Sequence, residues 1–305
     1  MNEVTRPNRT LSRYQRVQPP HTAARRHSLT PRRSLKTTFW FLVFVSLSLI
    51  YLLAPIRANI LLLGTDDSPE RGAVGRTDTI ILATVVPLQP YIGMLSIPRD
   101  LWVNVPGVGE QRINTAYFFA EAHTPGSGPR AAMQTVQANF GLPVHYHVVL
   151  HMQGLVSAVD ALGGVDIRLP DSMGGLPAGT HHLDGLQALT FVRERSTSDD
   201  FSRMERAQIL IAAGIGKTLQ PESWPALPRL ASSLLVLIDT DVPVWQWPRL
   251  SLALLRSTLP GGHGIQNQAI TRQMVTPFQT EAGAQVLAPD WTSIRPLLEE
   301  MFGSR

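Results

Sequence analysis

The chain has 305 residues, 44% of them hydrophobic, which is enough for one large domain or two small ones. It has no cysteine, so disulfide bonds, thiolate zinc sites and cysteine nucleophiles are excluded. The formal net charge of +4 is unevenly distributed. Residues 1–36, with nine Lys or Arg and one Glu, carry +8 and leave −4 for residues 37–305.

Residues 37–56 form a run of 20 residues without a charge, long enough to cross a bilayer as a helix. Because the basic residues precede it, the positive-inside rule predicts that residues 1–36 are cytoplasmic and residues 57–305 extracellular. A cleaved signal peptide is the alternative, but the basic and apolar stretches are both too long for one. We therefore expect an uncleaved, single-pass anchor in the cell membrane. A basic tail is also typical of nucleic-acid binding, but the anchor that follows it leads us to expect no nucleic-acid partner.

Three short apolar runs follow the anchor, at residues 59–63, 79–86 and 91–97. Each is rich in Ile, Leu and Val and is bounded by Gly, Pro or Asp, which predicts buried strands. We expect the three strands to form an up-down-up meander.

The charged residues of this region cluster at the ends of the runs. In a meander, one end of the sheet would collect Asp66, Arg76, Asp78, Arg99 and Asp100. Carboxylates beside guanidinium groups suit a divalent cation together with a phosphate or pyrophosphate. The alternative is a salt-bridge cluster on surface loops, and these residues alone leave both interpretations open.

The next elements follow from periodicity and from end signals. In chain order we predict a turn at 105–109, a helix capped by Asn114 and running through 122, a helix at 129–139, a strand at 144–150, a helix at 153–162 and a strand at 165–169. The strand at 144–150 brings three histidines at even spacing, His145, His147 and His151. No acid or cysteine lies close in the sequence to complete a metal site, so we interpret them as a polar strand face.

A second polar cluster spans residues 191–208 and contains four arginines, Arg193, Arg195, Arg203 and Arg206. The first two share a face if 191–195 is extended. The last two share a face of the next predicted helix, which Asp199 or Asp200 can cap and which runs to about 219. This excess of arginine suits bidentate phosphate contacts. A solvated face paired with neighbouring acids is the alternative.

The remaining chain gives weaker signals. A capping box is predicted at Asp184 to Gln187, and His181 and His182 are expected in a loop before it. Towards the C-terminus we predict the end of a helix at 231–238, a helix at 248–255, an edge strand at 269–277 and a last helix from Asp290 through 301.

The motifs together resemble those of the LytR–CpsA–Psr family of cell-wall glycopolymer transferases. Across residues 59–210 the matching segments are NILLLGTDD, GRTDTIILATV, MLSIPRDLWV, INTAYFFA, VDALGGVDIRLP, HLDGLQALTFVRERS and DDFSRMERAQ. The resemblance implies an α/β fold with a mixed central sheet flanked by helices, and a hydrophobic groove for a polyprenyl chain. It also implies transfer of a glycopolymer from a polyprenyl-pyrophosphate carrier to a muramic acid hydroxyl of peptidoglycan. The alternatives are a polyprenyl-pyrophosphate hydrolase, a non-catalytic lipid-binding protein and a membrane-tethered regulator.

The resemblance also implies roles for individual residues. It assigns a Mg²⁺ ion to Asp66 and Asp78, and the candidate general base is Asp78 or Asp100. The pyrophosphate-binding arginines would be Arg76, Arg99, Arg193, Arg195, Arg203 and Arg206. Ala207 departs from the family pattern, because the family usually has two glutamines where this chain has Ala207 and Gln208. Gln208 lies roughly 100° round the helix from Ala207, so we leave it out of the expected site.

Overall fold

The structure is a computed structural model of the whole chain. It describes residues 35–53, 57–66, 75–87, 91–194, 200–226, 228, 230, 238–258 and 264–303. The predicted cytoplasmic tail, residues 1–36, therefore lies almost wholly outside the described residues.

The chain divides into two compact units, residues 1–46 and residues 47–305. In the first unit the described part is helix, the beginning of α1 (Leu35–Leu53). Among the helices that the structure describes, none combines the length and the apolar character needed to cross a membrane. The second unit contains all the strands described below.

The second unit is built on a six-stranded mixed sheet. Its strands run in the order β10-β3-β2-β1-β6-β9. They span β1 (Ala58–Asp66), β2 (Arg76–Val86), β3 (Tyr91–Ser96), β6 (Tyr146–His151), β9 (Ile238–Thr240) and β10 (Ile265–Ala269). Strands β1, β2 and β3 pair antiparallel, which confirms the predicted meander, whereas β1 pairs parallel to β6 and β3 parallel to β10.

Helices cover both faces of this sheet. They are α2 (Thr115–His123), α3 (Gly128–Phe140), α4 (Met152–Ala161), α5 (Gly185–Arg193), α6 (Asp200–Leu219), α7 (Trp247–Thr258) and α8 (Trp291–Phe302). Leu61, Leu63 and Leu82 point to the face covered by α2, α3 and α8, whereas Leu62 and Ile81 point to the face covered by α6. Because both faces are covered, the strands read as continuous apolar runs rather than alternating ones. The predicted mixed sheet flanked by helices is confirmed.

Three two-stranded hairpins lie outside the main sheet. They are β4 (Trp102–Val105) with β5 (Gly109–Arg112), β7 (Val165–Leu169) with β8 (Gly179–Leu183), and β11 (Val275–Gln279) with β12 (Gln285–Pro289). His181 and His182 lie in β8, so the prediction of a loop there was wrong. The strand forms because it pairs with β7 in full register, a non-local contact that overrides the glycine-rich local composition.

Two C-terminal predictions also need correction. The strand expected at 269–277 is broken by a 3₁₀ turn at Arg272–Met274, so that β10 and β11 belong to different sheets. Of the helix end expected at 231–238, residues 231–237 lie outside the described residues, and Ile238 begins β9 instead of ending a helix. The capping box at Asp184 is confirmed, since the side chains of Asp184 and Gln187 each accept from the other's backbone N–H.

Candidate active site

The site begins with an irregularity at the start of β2. Gly64 of β1 pairs with Thr79 of β2, but the next residue, Thr65, pairs with Thr77. Asp78 is therefore the extra residue of a β-bulge, a device that re-aims a side chain at the edge of a sheet. Thr65 and Thr77 are buried, whereas the side chain of Asp78 keeps 14% of its surface exposed.

Arg99 connects Asp78 to the rest of the site. It follows β3, and its Nη1 donates to Asp78 Oδ1 at 2.6 Å. Its Nη2 lies 3.2 Å from Asp200 Oδ1, and its Nε donates to Asp200 Oδ2 at 3.2 Å. Its Nε also lies 3.5 Å from Asp100 Oδ2. The end of the meander is thus tied to the start of α6 by charge-assisted contacts.

Two further arginines extend this network. Arg112 Nε lies 3.2 Å from Asp100 Oδ1, and Arg203 donates to Asp200 Oδ1. We call the set the charged cluster. Its members are Asp78, Arg99, Asp100, Arg112, Asp200 and Arg203.

Arg112 was not predicted as a site residue, and Asp200 was expected only as a possible helix cap. The hairpin β4–β5 brings Arg112 back opposite Trp102, two residues after Asp100. The signal was the turn predicted at 105–109, because a tight turn there returns the next residues to the strand before it. Nothing local in the sequence indicates that Asp200 meets Arg99, since about a hundred residues separate them.

The other predicted site residues are not members of the charged cluster, and some of them lie outside the described part. Arg76 opens β2 next to the bulge, and its Cζ lies 5.4 Å from the centre of the Phe118 ring. Arg193 is exposed at the end of α5. The backbone of Asp66 pairs with that of Arg76. The side chain of Asp66 and the whole of Arg195 lie outside the described part of the chain.

The arginines of residues 191–208 adopt a different arrangement from the predicted one. The structure continues α5 as far as Arg193, so the extended segment assumed for Arg193 and Arg195 was wrong over its first three residues. Arg206 is completely buried, and its Nη2 donates to the carbonyl oxygen of Glu194 at 2.7 Å. Burial lowers the pKa of Arg206, and the carboxylates of Glu194 and Glu205 counteract this shift.

Ala207 and Gln208 face different surroundings on α6. Gln208 Nε2 donates to the carbonyl oxygen of Gln268 at 2.6 Å and lies 3.4 Å from that of Met94. It therefore ties α6 to strands β10 and β3, and is not among the contacts of the charged cluster. Ala207 lies in the wall of an apolar cavity.

This apolar cavity has a volume of about 170 Å³ and lies between the sheet and helices α4, α5 and α6. Its wall is formed by strand residues such as Leu62, Thr79 and Leu150 and by helix residues such as Ala207 and Leu210. Thr79 is the neighbour of Asp78, so the cavity reaches the chain directly beside the charged cluster.

Each of the three histidines has specific partners. His147 lies 3.2 Å from Asp241 Oδ1 and 3.8 Å from Asp239 Oδ1, acids that the sequence does not bring near it. His151 Nδ1 lies 3.0 Å from Thr65 Oγ1 at the end of β1. His145 precedes β6, and its Nδ1 accepts from the backbone N–H of Asn59. His147 and His151 therefore lie within β6, as the predicted strand face requires, whereas His145 lies outside the strand.

Asn114 also differs from its prediction. It stands at the N-cap position of α2, but its side chain makes no capping hydrogen bond. It is 95% buried, and its Oδ1 has no hydrogen-bond partner among the described residues. Its backbone N–H donates to the carbonyl oxygen of Arg99, which ties the start of α2 to the backbone of the segment after β3.

The described side chains include no group of three or more His, Asp or Glu that would hold a metal by themselves. Mg²⁺ does not need such a group, because it is usually held by one or two carboxylates, a phosphate and several waters. Asp66 and Asp78 fit a Mg²⁺ site of this kind, because both are carboxylates and they lie at the paired ends of β1 and β2.

Comparison with known proteins identifies a family and several relatives. A family model described as the LytR_cpsA_psr family matches residues 54–301. The polyisoprenyl-teichoic acid–peptidoglycan teichoic acid transferase TagU of Oceanobacillus iheyensis is 34% identical over 222 residues, 71% of this chain and 66% of its own length. The protein of the same name from Enterococcus faecalis is 32% identical over 247 residues, 75% of this chain and 79% of its own. The chain thus spans slightly less than two thirds of the first relative.

Among solved structures, TagV of B. subtilis superposes with a TM-score of 0.65 at 22% identity. The match covers 82% of this chain and 99% of TagV. At this level of identity the similarity concerns the fold, and it agrees with the mixed sheet and its flanking helices.

Proposed function

Because the chain belongs to the LytR_cpsA_psr family, we propose that it is a phosphotransferase that moves a glycopolymer from a polyprenyl-pyrophosphate carrier onto peptidoglycan. Two relatives bear the name of a teichoic acid transferase that uses a polyisoprenyl-linked donor and peptidoglycan. The observation that carries the proposal is the direct succession of Asp78 in the charged cluster and Thr79 in the apolar cavity.

That succession matches the two halves of the donor. A polyprenyl chain is apolar and gains free energy when it leaves water, on the order of 25 cal/mol per Å² of buried surface. A pyrophosphate carries several negative charges and is bound best by guanidinium groups in bidentate contacts. The apolar cavity supports the first requirement, and Arg76, Arg99 and Arg203 support the second.

The proposed reaction forms one phosphodiester bond and breaks one phosphoanhydride bond. The acceptor hydroxyl attacks the phosphorus on the sugar side, and polyprenyl phosphate leaves with the electron pair of the broken bond. Asp78 or Asp100 accepts the hydroxyl proton. Catalysis of this kind depends on positioning and on neutralising charge at the phosphoryl oxygens. Arg99 and Arg203 serve this purpose when the phosphates replace Asp200 as their partner.

The more distant arginines have supporting roles in this proposal. Arg206 is a positioning residue, because its buried guanidinium holds the carbonyl of Glu194, between Arg193 and Arg195. Those two arginines would meet the pyrophosphate from the segment after α5.

Mg²⁺ is part of the proposal, held by Asp66 and Asp78. When bound, it would neutralise charge on the phosphate oxygens. Arg99 contacts Asp78 Oδ1 in the structure, which leaves Oδ2 of the same carboxylate for a cation.

We also propose a membrane anchor at residues 37–56, with residues 1–36 in the cytoplasm and the catalytic domain, residues 57–305, outside the cell. Its support is the uncharged run itself and the exposure of its large apolar side chains, with Phe39 60%, Trp40 67% and Phe44 69% exposed. A lipid-linked donor would then reach the apolar cavity without leaving the bilayer surface. A protease-protection assay on intact cells tests this topology, and a tag on residue 1 that is cleaved from outside contradicts it.

The transfer is tested with the full chain in detergent, Mg²⁺, a polyprenyl-pyrophosphate oligosaccharide and a peptidoglycan oligomer. We expect polyprenyl phosphate and coupled glycan in equal amounts, and loss of both with EDTA or with Asp78→Asn. Asp171→Asn, an exposed carboxylate away from the charged cluster, is the matched control and should react normally. Release of polyprenyl phosphate without coupling would instead identify a hydrolase. Normal coupling by Asp78→Asn would contradict the assigned site.

A further inference from the structure

A second concavity borders a different face of α6 from the apolar cavity. It is a polar cleft of about 510 Å³ between the first turns of α6 and the segment that runs from β10 into the following 3₁₀ turn. Its α6 wall includes Phe201 and Glu205, and its other wall includes Asn267, Gln268 and Gln273. The volume lies within the range of about 300–1,000 Å³ that is typical of small-molecule sites.

The two walls are held together by a buried contact. Gln208 of α6 is 7% exposed, and its Nε2 donates to the carbonyl oxygen of Gln268 at 2.6 Å. Phe201 also packs against the main core, and the Arg272 guanidinium lies 5.4 Å from the centre of its ring. The polar cleft is therefore a fixed feature of the fold.

Along the chain, members of the charged cluster directly precede residues that line the apolar cavity and the polar cleft. Asp78 and Asp200 both contact Arg99. The neighbour of Asp78, Thr79, lines the apolar cavity, and the neighbour of Asp200, Phe201, lines the polar cleft. Ligands in the two concavities would therefore meet at Arg99.

From this arrangement we infer that the polar cleft binds the acceptor glycan. The inference rests on the proposed function, since a transferase needs two substrates and the apolar cavity suits only the lipid part of the donor. The glycan strand would lie along Asn267 and Gln273 and present a sugar hydroxyl to the charged cluster.

The chemistry of the polar cleft selects this class of ligand. Side-chain amides both donate and accept hydrogen bonds, which matches the hydroxyl and acetamido groups of an amino-sugar polymer. The amides of Asn267, Gln268 and Gln273 belong to exposed residues. One acid, Glu205, and one base, Arg272, give the lining no net charge. That balance favours an uncharged saccharide over a second polyanion.

The test compares the double variant Asn267→Ala/Gln273→Ala with Gln266→Ala, an amide on the same strand outside the polar cleft. Each variant is assayed as the full chain in detergent with the same donor and a soluble peptidoglycan glycan oligomer. The double variant should raise the acceptor KM about tenfold or more, because each lost hydrogen bond costs on the order of a fewfold in binding. The donor KM should stay within about twofold, since the donor contacts are untouched. Gln266→Ala should leave both constants unchanged.

The outcomes separate this inference from the proposed function. Normal coupling with an unchanged acceptor KM in the double variant would overturn the polar cleft as the acceptor site and leave the transfer standing. A wild-type chain that couples nothing would contradict the transfer. In that case calorimetric titration of the glycan oligomer alone still tests the polar cleft. If the wild type binds the oligomer and the double variant does not, the polar cleft is supported as the acceptor site. If both bind equally, or if the wild type does not bind, the inference is overturned.

Discussion

The two faces of the six-stranded sheet are packed differently. On the face covered by α2, α3 and α8, Leu61, Leu63 and Leu82 are at most 1% exposed and belong to one continuous core. On the opposite face, Leu62 and Leu150 border an apolar cavity of about 170 Å³. The same strands therefore supply a filled layer and a layer with room for a ligand.

This difference indicates a division of roles between the two layers. Protein interiors are normally packed as densely as organic crystals, so an apolar cavity of this size gives up contacts that a filled core would make. We expect substitutions on the filled face to change stability, and substitutions on the cavity face to change donor binding. Three predictions examine this division, and a fourth uses a surface ion pair as a reference.

The first prediction compares matched leucines on the two faces. Leu82→Ala should lower the free energy of unfolding by about 3 kcal/mol, the usual cost of a new cavity in a filled core. Leu150→Ala should cost only about 1 kcal/mol, because that side chain already borders a cavity and loses fewer contacts. Urea unfolding of both variants measures the difference. Equal losses of unfolding free energy in the two variants would contradict the proposed difference in packing.

The second prediction concerns the end of the sheet where the two layers meet. Arg99→Ala should lower kcat about a hundredfold, because a contact to charge that develops in the transition state is worth about 3 kcal/mol. The fold should survive, since the Arg99 side chain is 26% exposed. Arg168→Ala, an exposed arginine on β7, is the control. Near-normal turnover of Arg99→Ala would reject its assigned role.

The third prediction fills the apolar cavity from α6. Ala207→Leu should raise the donor KM about tenfold, as expected when carbon atoms are added to the wall of an apolar binding pocket. Stability should change little, because leucine has a good helix propensity and the cavity has room for it. Ala212→Leu, on the same helix but outside the cavity wall, serves as the control. A variant whose donor KM is unchanged would show that the lipid binds elsewhere.

The fourth prediction uses a surface pair far from both layers. A hydrogen bond from His182 at 2.8 Å lowers the pKa of Asp166, and Lys217 nearby adds to the shift. The ionised carboxylate therefore stabilises the fold above its unfolded pKa of about 3.9, and this contribution is lost as the pH falls through the lowered value. Because the pair is exposed and screened, Asp166→Asn should cost on the order of 0.3 kcal/mol at pH 7.

The difference between Asp166→Asn and the wild type should narrow as the pH falls below about 4. Thermal unfolding at several pH values measures it. A difference that grows in acid would contradict the direction of the pKa shift.

The sequence predicted the parts of the fold whose signals are local. The meander follows from three uninterrupted apolar runs, and the start of α5 follows from the paired Asp184 and Gln187. Helix α6 was predicted within a residue of its observed start because Asp200 precedes a long amphipathic run. In each case the residues that determine the structure lie within one element.

The remaining features depend on contacts between distant elements. Arg206 follows Arg203 by three residues, a spacing that is equally compatible with a solvent-exposed helix face. The fold instead buries its side chain against the carbonyl of Glu194. The pairing of Asp200 with Arg99 becomes visible only when α6 has packed against the sheet. The sequence therefore identified several members of the charged cluster but not its complete set.

The bulge at Asp78 has a consequence for how such a gene can diverge. A deletion of this single codon would restore regular pairing between β1 and β2, with Thr77 moving into step with Thr65 and Thr79 with Gly64. The sheet would keep its buried leucines, and the aspartate would be gone. A duplicated copy could lose its chemistry in one mutational event and persist as a stable relative with the same fold.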